Sequence, residues 1–186
     1  MARIVGIVGS PREGGNTETL VRRALEAAES RGAETTLFHL GKMGVNPCKG
    51  CLVCKEKGRC VQEDDMAAIY EALHRADGLV LGSPVYFATV SAQFKAFMDR
   101  LIALIDTDFR SRLPEGKRAV LLFCQGDERG DAYLDGLKCV ETTCEWLGIE
   151  VVERIVASGV EEPGEVAENT EIMGRVQEAA YKLLQE

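Results

Sequence analysis

Four of the seven cysteines, Cys48, Cys51, Cys54 and Cys60, fall within thirteen residues of one another. Thiolates ligate soft metals, and a reduced chain this rich in cysteine points to metal or redox chemistry before disulfides. Spacings of two, two and five residues make a compact chelate, and the two-two run is the one iron–sulfur ligands use. Structural zinc more often takes paired Cys units set farther apart. Val61, not proline, follows Cys60, and no second ligand set exists, so a single [4Fe–4S] cluster is the natural fit. Lys49, Lys55, Lys57 and Arg59 against Glu56 give the segment a local excess of three positive charges, in a chain of net charge -8. Such a collar would offset an anionic cluster. The plainer reading is that these cysteines pack as small hydrophobes inside a solvated basic face. Cys124, Cys139 and Cys144 are scattered and read as structural packing.

A second set of residues suits an anion. Gly9-Ser-Pro-Arg-Glu-Gly-Gly-Asn-Thr17 follows an apolar run and opens into a helical pattern. Gly14 and Gly15 let backbone N–H groups converge, Ser10, Asn16 and Thr17 add short donors, and Arg12 adds a charge. With the unpaired first-turn amides of a helix they suit a phosphate monoester. The loop is neither a Walker A motif nor GxGxxG. Its plain alternative is a surface turn in which Thr17 caps a helix. Pro84, Val85, Tyr86 and Phe87 form a stiff aromatic segment that suits the edge and face of a flat ring, and Gln125 and Gly126 end a further apolar run. His39 and His74 join no constellation, and no Ser–His–Asp or paired-carboxylate arrangement stands out. No side chain is therefore singled out as catalytic.

The elements that must position these residues alternate along the chain. Apolar, β-branched runs over 3–9, 34–40, 78–82, 118–124 and 149–158 read as strands, the second as a partly exposed edge and the fourth as central. Helical periodicity covers 16–31, a segment capped by Asp64 or Asp65 and running through Ile69, Leu73 and Ala76, a stretch from Val90 to Ile105, then 131–147, and the tail after Pro163. Phe94, Phe97 and Met98 on one helix suit either the core or a contact with a second copy. The expected fold is α/β: a doubly wound, five-stranded parallel sheet of order 2-1-3-4-5, one domain over 1–186, with a Cys-rich insertion at 47–60 after strand 2. In that order a ligand belongs at the carboxyl ends of strands 1 and 3, where the loops after Gly9 and Gly82 meet.

Composition narrows the function. With 46% hydrophobic and 28% charged residues, the 186-residue chain reads as a globular domain with a substantial core. Its negative charge argues against a nucleic-acid surface. No apolar run is long enough to span a membrane, and the first residues do not read as a signal peptide, so the expected location is cytoplasmic.

With these residues in hand, the chain resembles the NADPH-dependent FMN reductase-like flavoproteins of the flavodoxin superfamily, and within them the iron-sulfur flavoprotein branch. The resemblance rests on Gly9-Ser-Pro-Arg12, Gly15-Asn-Thr17, Gly82-Ser-Pro-Val-Tyr-Phe87, Ser91-Ala-Gln-Phe-Lys95 and the four spaced cysteines. It implies FMN, with the phosphate on Ser10, Arg12, Asn16 and Thr17 and the ring against Pro84–Phe87 and Gln125–Gly126. It also implies NAD(P)H as a possible electron donor, a small-molecule or ferredoxin-type partner, and a homodimer or tetramer. On this view FMN carries the chemistry, and a cluster on Cys48, Cys51, Cys54 and Cys60 relays electrons. Two rival readings stay open. One is a cluster-free NAD(P)H-dependent FMN or quinone reductase. The other is a non-enzymatic thiol or zinc redox sensor.

Overall fold

The structure is a computed structural model and describes residues 1–185; residue 186, the last of the expected domain, lies outside the described residues. Short β-branched runs become strands because helices on both faces bury them, leaving no need for a polar side. Strands β1 (Arg3–Val8), β2 (Glu34–His39), β3 (Gly78–Tyr86), β5 (Arg118–Cys124) and β6 (Glu150–Ala157) pair in parallel in the order β2-β1-β3-β5-β6. The two-residue strand β4 (Thr89–Val90) folds back antiparallel on β3. Apart from that stub, the order is the expected one. The central strand is β3, however, and not Arg118–Cys124. The latter is apolar from Ala119 to Cys124 because it too is covered on both faces.

Helices α1 (Asn16–Glu29) and α6 (Thr170–Lys182) close one face, where Leu20, Val21, Ala24, Val176 and Ala180 meet Ile4, Val8 and Val120. On the other face lie α3 (Met66–Arg75), α4 (Ala92–Arg100) and α5 (Leu134–Trp146), with Ile69, Phe94, Phe97 and Val140 against Ile7, Leu81 and Leu121. The one-turn helix α2 (Val53–Lys57) belongs to the insertion after β2. Phe94, Phe97 and Met98 are all buried within this one chain, so they serve its own core.

Three boundaries differ from expectation, each for a local reason. Strand β3 runs past Gly82 to Tyr86, because Ser83 and Pro84 still pair with Phe123 and Cys124. Helix α4 starts at Ala92 because the Ser91 hydroxyl caps it, accepting from Phe94 N at 3.1 Å. Helix α5 begins at Leu134, the residues from Asp131 forming turns. Among the described residues no helix is long and apolar enough to cross a membrane.

Candidate functional site

The site is built where the strand order reverses. The loops after β1 and β3 are stapled there by one backbone and one side-chain bond: Gly9 N–H donates to Gly82 O at 2.8 Å, and the Ser91 hydroxyl donates to Gly9 O at 2.5 Å. Both glycines sit where bulk is excluded. A Cβ on Gly82 would lie 2.5 Å from Val21 Cγ2 and 3.0 Å from Thr17 Cγ2, so α1 can approach the sheet only because the residue is glycine. That approach aims the first turn of α1 at the loop. Its first intrahelical bond is Thr19 N–H to Gly15 O (3.0 Å), which leaves the earlier amides as donors at the positive end of the helix.

A cavity of 260 Å³ opens at this point, lined by Ser10, Arg12, Gly15, Asn16, Thr17, Pro84, Val85, Tyr86, Gln125 and Gly126. Residues far apart in sequence are thus brought to one place. Phe87 is not among them: it stands fully exposed at the hairpin tip between β3 and β4. Phe87 and Ala88 both have positive φ, 48° and 70°, in a two-residue turn that ordinarily selects Asn or Gly. The turn fits against α5 through Gly136, where any Cβ would fall 2.0 Å from Ala88 O. A Phe-Ala turn carries no sequence signature, which is why the hairpin is not legible in advance.

The side chains of the phosphate-type loop divide their work. Ser10 Oγ accepts from Arg12 N–H at 3.0 Å and fixes the turn. Asn16 uses its amide as a brace: Nδ2 donates to Glu162 O (3.0 Å) and Oδ1 accepts from Val166 N–H (3.1 Å), tying α1 to the segment before α6. Arg12 Nη1 donates to Glu161 O at 3.3 Å, leaving the guanidinium at the cavity edge. Gly14 N–H is taken by Glu18 Oε2 at 2.8 Å and is not free for an external anion. Gln125 is held by its Nε2 donating to Arg129 O (2.6 Å), while its buried Oε1 has no hydrogen-bond partner among the described residues. An unpaired buried acceptor is costly unless a ligand or water satisfies it.

Sequence reasoning missed four further lining residues: Cys124, Val160, Glu161 and Pro163. The last three come from the turn between β6 and α6, which carries no motif. Cys124, read as packing, is buried on the cavity floor, and burial pushes its thiol up to about 12, so it stays protonated and unreactive at neutral pH.

The four spaced cysteines come together separately. Cys48, Cys51, Cys54 and Cys60 all line one small cavity of 20 Å³, with Leu52, Val61, Ile102 and Arg100. The loop wraps around it through left-handed backbone at Gly50, Leu52 and Gly58. For Leu52 that conformation costs about 1–2 kcal/mol. Burial and the neighbouring thiols, Cys60 foremost, raise the Cys54 pKa. Among the described residues no three His, Cys, Asp or Glu side chains converge as ligands of one metal ion.

What holds this loop is a buried ion pair that the sequence pattern hides. Arg100, 1% exposed, forks onto Asp64 through Nη1–Oδ2 (2.6 Å) and Nη2–Oδ1 (3.0 Å), and Nη1 also reaches Asn46 O (2.9 Å). Burial pushes the Asp64 carboxyl up, but hydrogen bonds from Arg100 and Asn46 outweigh it and hold the pKa down at about 2. Asp65 occupies the cap position of α3 without a side-chain cap bond; Asp64 Oδ1 instead accepts from Met66 N–H at 3.2 Å. Tyr70 donates its hydroxyl to Arg100 O at 2.6 Å, and burial raises its pKa to about 12. The clue to Arg100 was its place three residues after Phe97, on the otherwise apolar face of α4.

A doubly wound parallel sheet with a donor-lined cavity at the β1/β3 reversal defines the flavodoxin-like class of nucleotide-binding proteins. The profile described as NADPH-dependent FMN reductase matches residues 2–157, and the chain belongs to that family. Among curated relatives, an iron-sulfur flavoprotein of Methanocaldococcus jannaschii is 51% identical over 98 residues, covering 53% of this chain and 51% of that protein. An iron-sulfur flavoprotein of Methanosarcina thermophila is 36% identical over 147 residues, 79% of this chain and 73% of that one. The chain thus spans about half the length of the first of these relatives. Solved structures share the fold. An NAD(P)H:quinone oxidoreductase from Methanothermobacter marburgensis has a TM-score of 0.73 at 17% identity, covering 100% of this chain and 96% of that one. An FMN-dependent NADH-azoreductase from Bacillus anthracis, in complex with FMN, has a TM-score of 0.68 at 19% identity, covering 99% of each chain.

Proposed function

We propose that this chain is an FMN-dependent electron-transfer oxidoreductase in which Cys48, Cys51, Cys54 and Cys60 hold one [4Fe–4S] cluster between the flavin and a redox partner. The observation that carries the reading is the convergence of residues 10–17, 84–86 and 125–126 on one cavity. The first-turn amides of α1, with Ser10, Thr17 and Arg12, hold the phosphate; Asn16 braces the wall opposite. Pro84, Val85, Tyr86, Gln125 and Gly126 border the ring, and Gln125 Oε1 is a fixed acceptor in want of an N–H donor. When bound, FMN supplies one- or two-electron transfer and the cluster one-electron transfer. The chain's residues bind, orient and shield; no side chain acts as nucleophile or base. Cys48, Cys51, Cys54 and Cys60, lining one cavity, would supply the four thiolate ligands of one cluster.

NAD(P)H is the proposed donor and a small-molecule or ferredoxin-type carrier the partner. The basic collar at the cysteine mouth favours an acidic protein carrier. A groove of 640 Å³ lined by Leu52, Ile102, Ile105 and Trp146, beside Cys48, suits a second copy of the chain. We place the protein in the cytoplasm, where these thiols stay reduced.

Anaerobic purification followed by absorption spectroscopy with iron, sulfide and zinc analysis tests the proposal. Flavin bands with a shoulder near ~400 nm and about four irons per chain are expected. Flavin without iron would replace the reading with a cluster-free NAD(P)H-dependent FMN or quinone reductase. Zinc without flavin would replace it with a thiol or zinc sensor.

A further inference from the structure

Arg100 is among the largest fully buried side chains of the molecule, and it is charged. Its two terminal nitrogens are spent on Asp64 and Asn46. Its Nε is buried, carries a proton, and has no partner among the described residues. The same side chain lines the cavity of the four cysteines. If Arg100 served only to pin the loop to α4, the fork onto Asp64 would suffice, and an unsatisfied buried donor would be a pure cost.

We infer that Arg100 is a positioning residue for the cysteine site, its Asp64-locked guanidinium supplying a fixed cation and one free N–H donor to the thiolate ligands of the cluster. The inference rests on the cluster reading of the cysteines. Removing protons from four thiols to ligate iron leaves an anionic site, and a buried cation lowers the cost of placing it there. A donor to cluster sulfur also favours the reduced, more negative state, since hydrogen bonds and net charge set such potentials. Arginine suits the position better than lysine. Its planar fork satisfies Asp64 with two nitrogens and still presents the third, whereas a lysine ammonium is a single point charge.

The test compares wild type, Arg100→Lys and the double variant Asp64→Asn/Arg100→Gln, which leaves no charge of the pair unpaired. Each full-length protein is reconstituted anaerobically with iron and sulfide. The readouts are iron content, cluster midpoint potential by spectroelectrochemistry, FMN content and the circular dichroism melting curve. The double variant is expected to keep FMN and a cooperative melt. It should hold a cluster whose reduction equilibrium is at least tenfold less favourable, a fall of 59 mV for one electron; if it loses iron instead, the Arg100→Lys potential decides. Arg100→Lys should shift the same way by less. Unchanged iron and potential in both folded variants would overturn the inference and make the pair purely structural. If the double variant fails to fold, the Arg100→Lys potential decides by the same criterion. Failure of the wild type to take up iron would overturn the cluster reading and this inference together, a result distinct from a loaded cluster indifferent to Arg100.

Discussion

The two candidate sites of this molecule are built by opposite means. The cavity at the β1/β3 reversal is assembled chiefly from strand ends and backbone: Gly9 N–H to Gly82 O at 2.8 Å, Gln125 N–H to Ala157 O at 2.9 Å, and Val160 N–H to Gln125 O at 3.1 Å. Sheet register sets these positions, so the cavity is as rigid as the core beneath it. The cysteine cavity has no strand in it. Its loop is clamped by side chains: Gln62 Nε2 to Pro47 O (3.1 Å), Arg112 Nη2 to Lys55 O (2.8 Å) and the Arg100–Asp64 fork. One site is given by the fold, and the other is added to it and depends on a few long-range contacts. A ligand entering the first meets prepared donors. A ligand entering the second completes the structure, as metals often do where binding and local folding are coupled.

The largest expected effect breaks the clamp. Arg100→Met strips the cation from a buried carboxylate and should cost about 3–5 kcal/mol in urea unfolding, because Asp64 is left uncompensated. If the loss stays below about 1 kcal/mol, as for a surface pair, the loop does not depend on this contact. Next comes the rigid site. Gly82→Ala forces a methyl against Val21 and Thr17, and overpacking of this kind costs about 1–3 kcal/mol. Because the shift falls on the first turn of α1, FMN affinity should drop while iron uptake at the proposed cysteine site is unaffected. An equal loss of both would mean the sites are mechanically joined.

Acid should separate the two regions again. The folded pKa of Asp64, about 2, lies below the ordinary value of 3.8. Its contribution is therefore fully present above about pH 4 and is lost as pH falls through 2. The two pKa values correspond to about 2 kcal/mol of stability. An Asp64→Asn variant, already lacking the charge, should have a flatter stability profile between pH 4 and 2; identical profiles would remove Asp64 from the acid response.

How much of this was legible beforehand follows the same division. Buried parallel strands announce themselves as β-branched runs, and glycine with short polar residues before a helix announces an anion loop, so the sheet order and most of the lining of the first cavity were readable. The exceptions are tertiary. Asn16 reads as a ligand donor, yet its side chain braces residues 162–166, a segment 146 residues away in the chain. Phe87 reads as a ring-stacking partner and projects outward, because its backbone turns with positive φ. In the second site the cysteine spacing was plain, but nothing in the pattern singled out Arg100, and Asp64, 36 residues before it, read as a helix cap. Periodicity reports which face of an element is buried, not which charge on that face has found a partner.

The smallest effect tests whether the outer wall of the first cavity is held by α1 or by α6. Val160, Glu161 and Pro163 reach the cavity from a segment braced on one side by Asn16 and continued on the other into α6. Helix α6 is capped by Asn169, whose Oδ1 accepts from Ile172 N–H at 3.0 Å in an exposed position. Asn169→Ala removes that acceptor and should cost about 1 kcal/mol, read as a small fall in the urea midpoint at constant slope. If Asn16 alone fixes the wall, FMN affinity stays at the wild-type value despite the lost stability. A weaker FMN complex would instead show that fraying at the start of α6 propagates through residues 165–168 to the cavity. The rigid site would then share the dependence on distant contacts that otherwise distinguishes the cysteine loop.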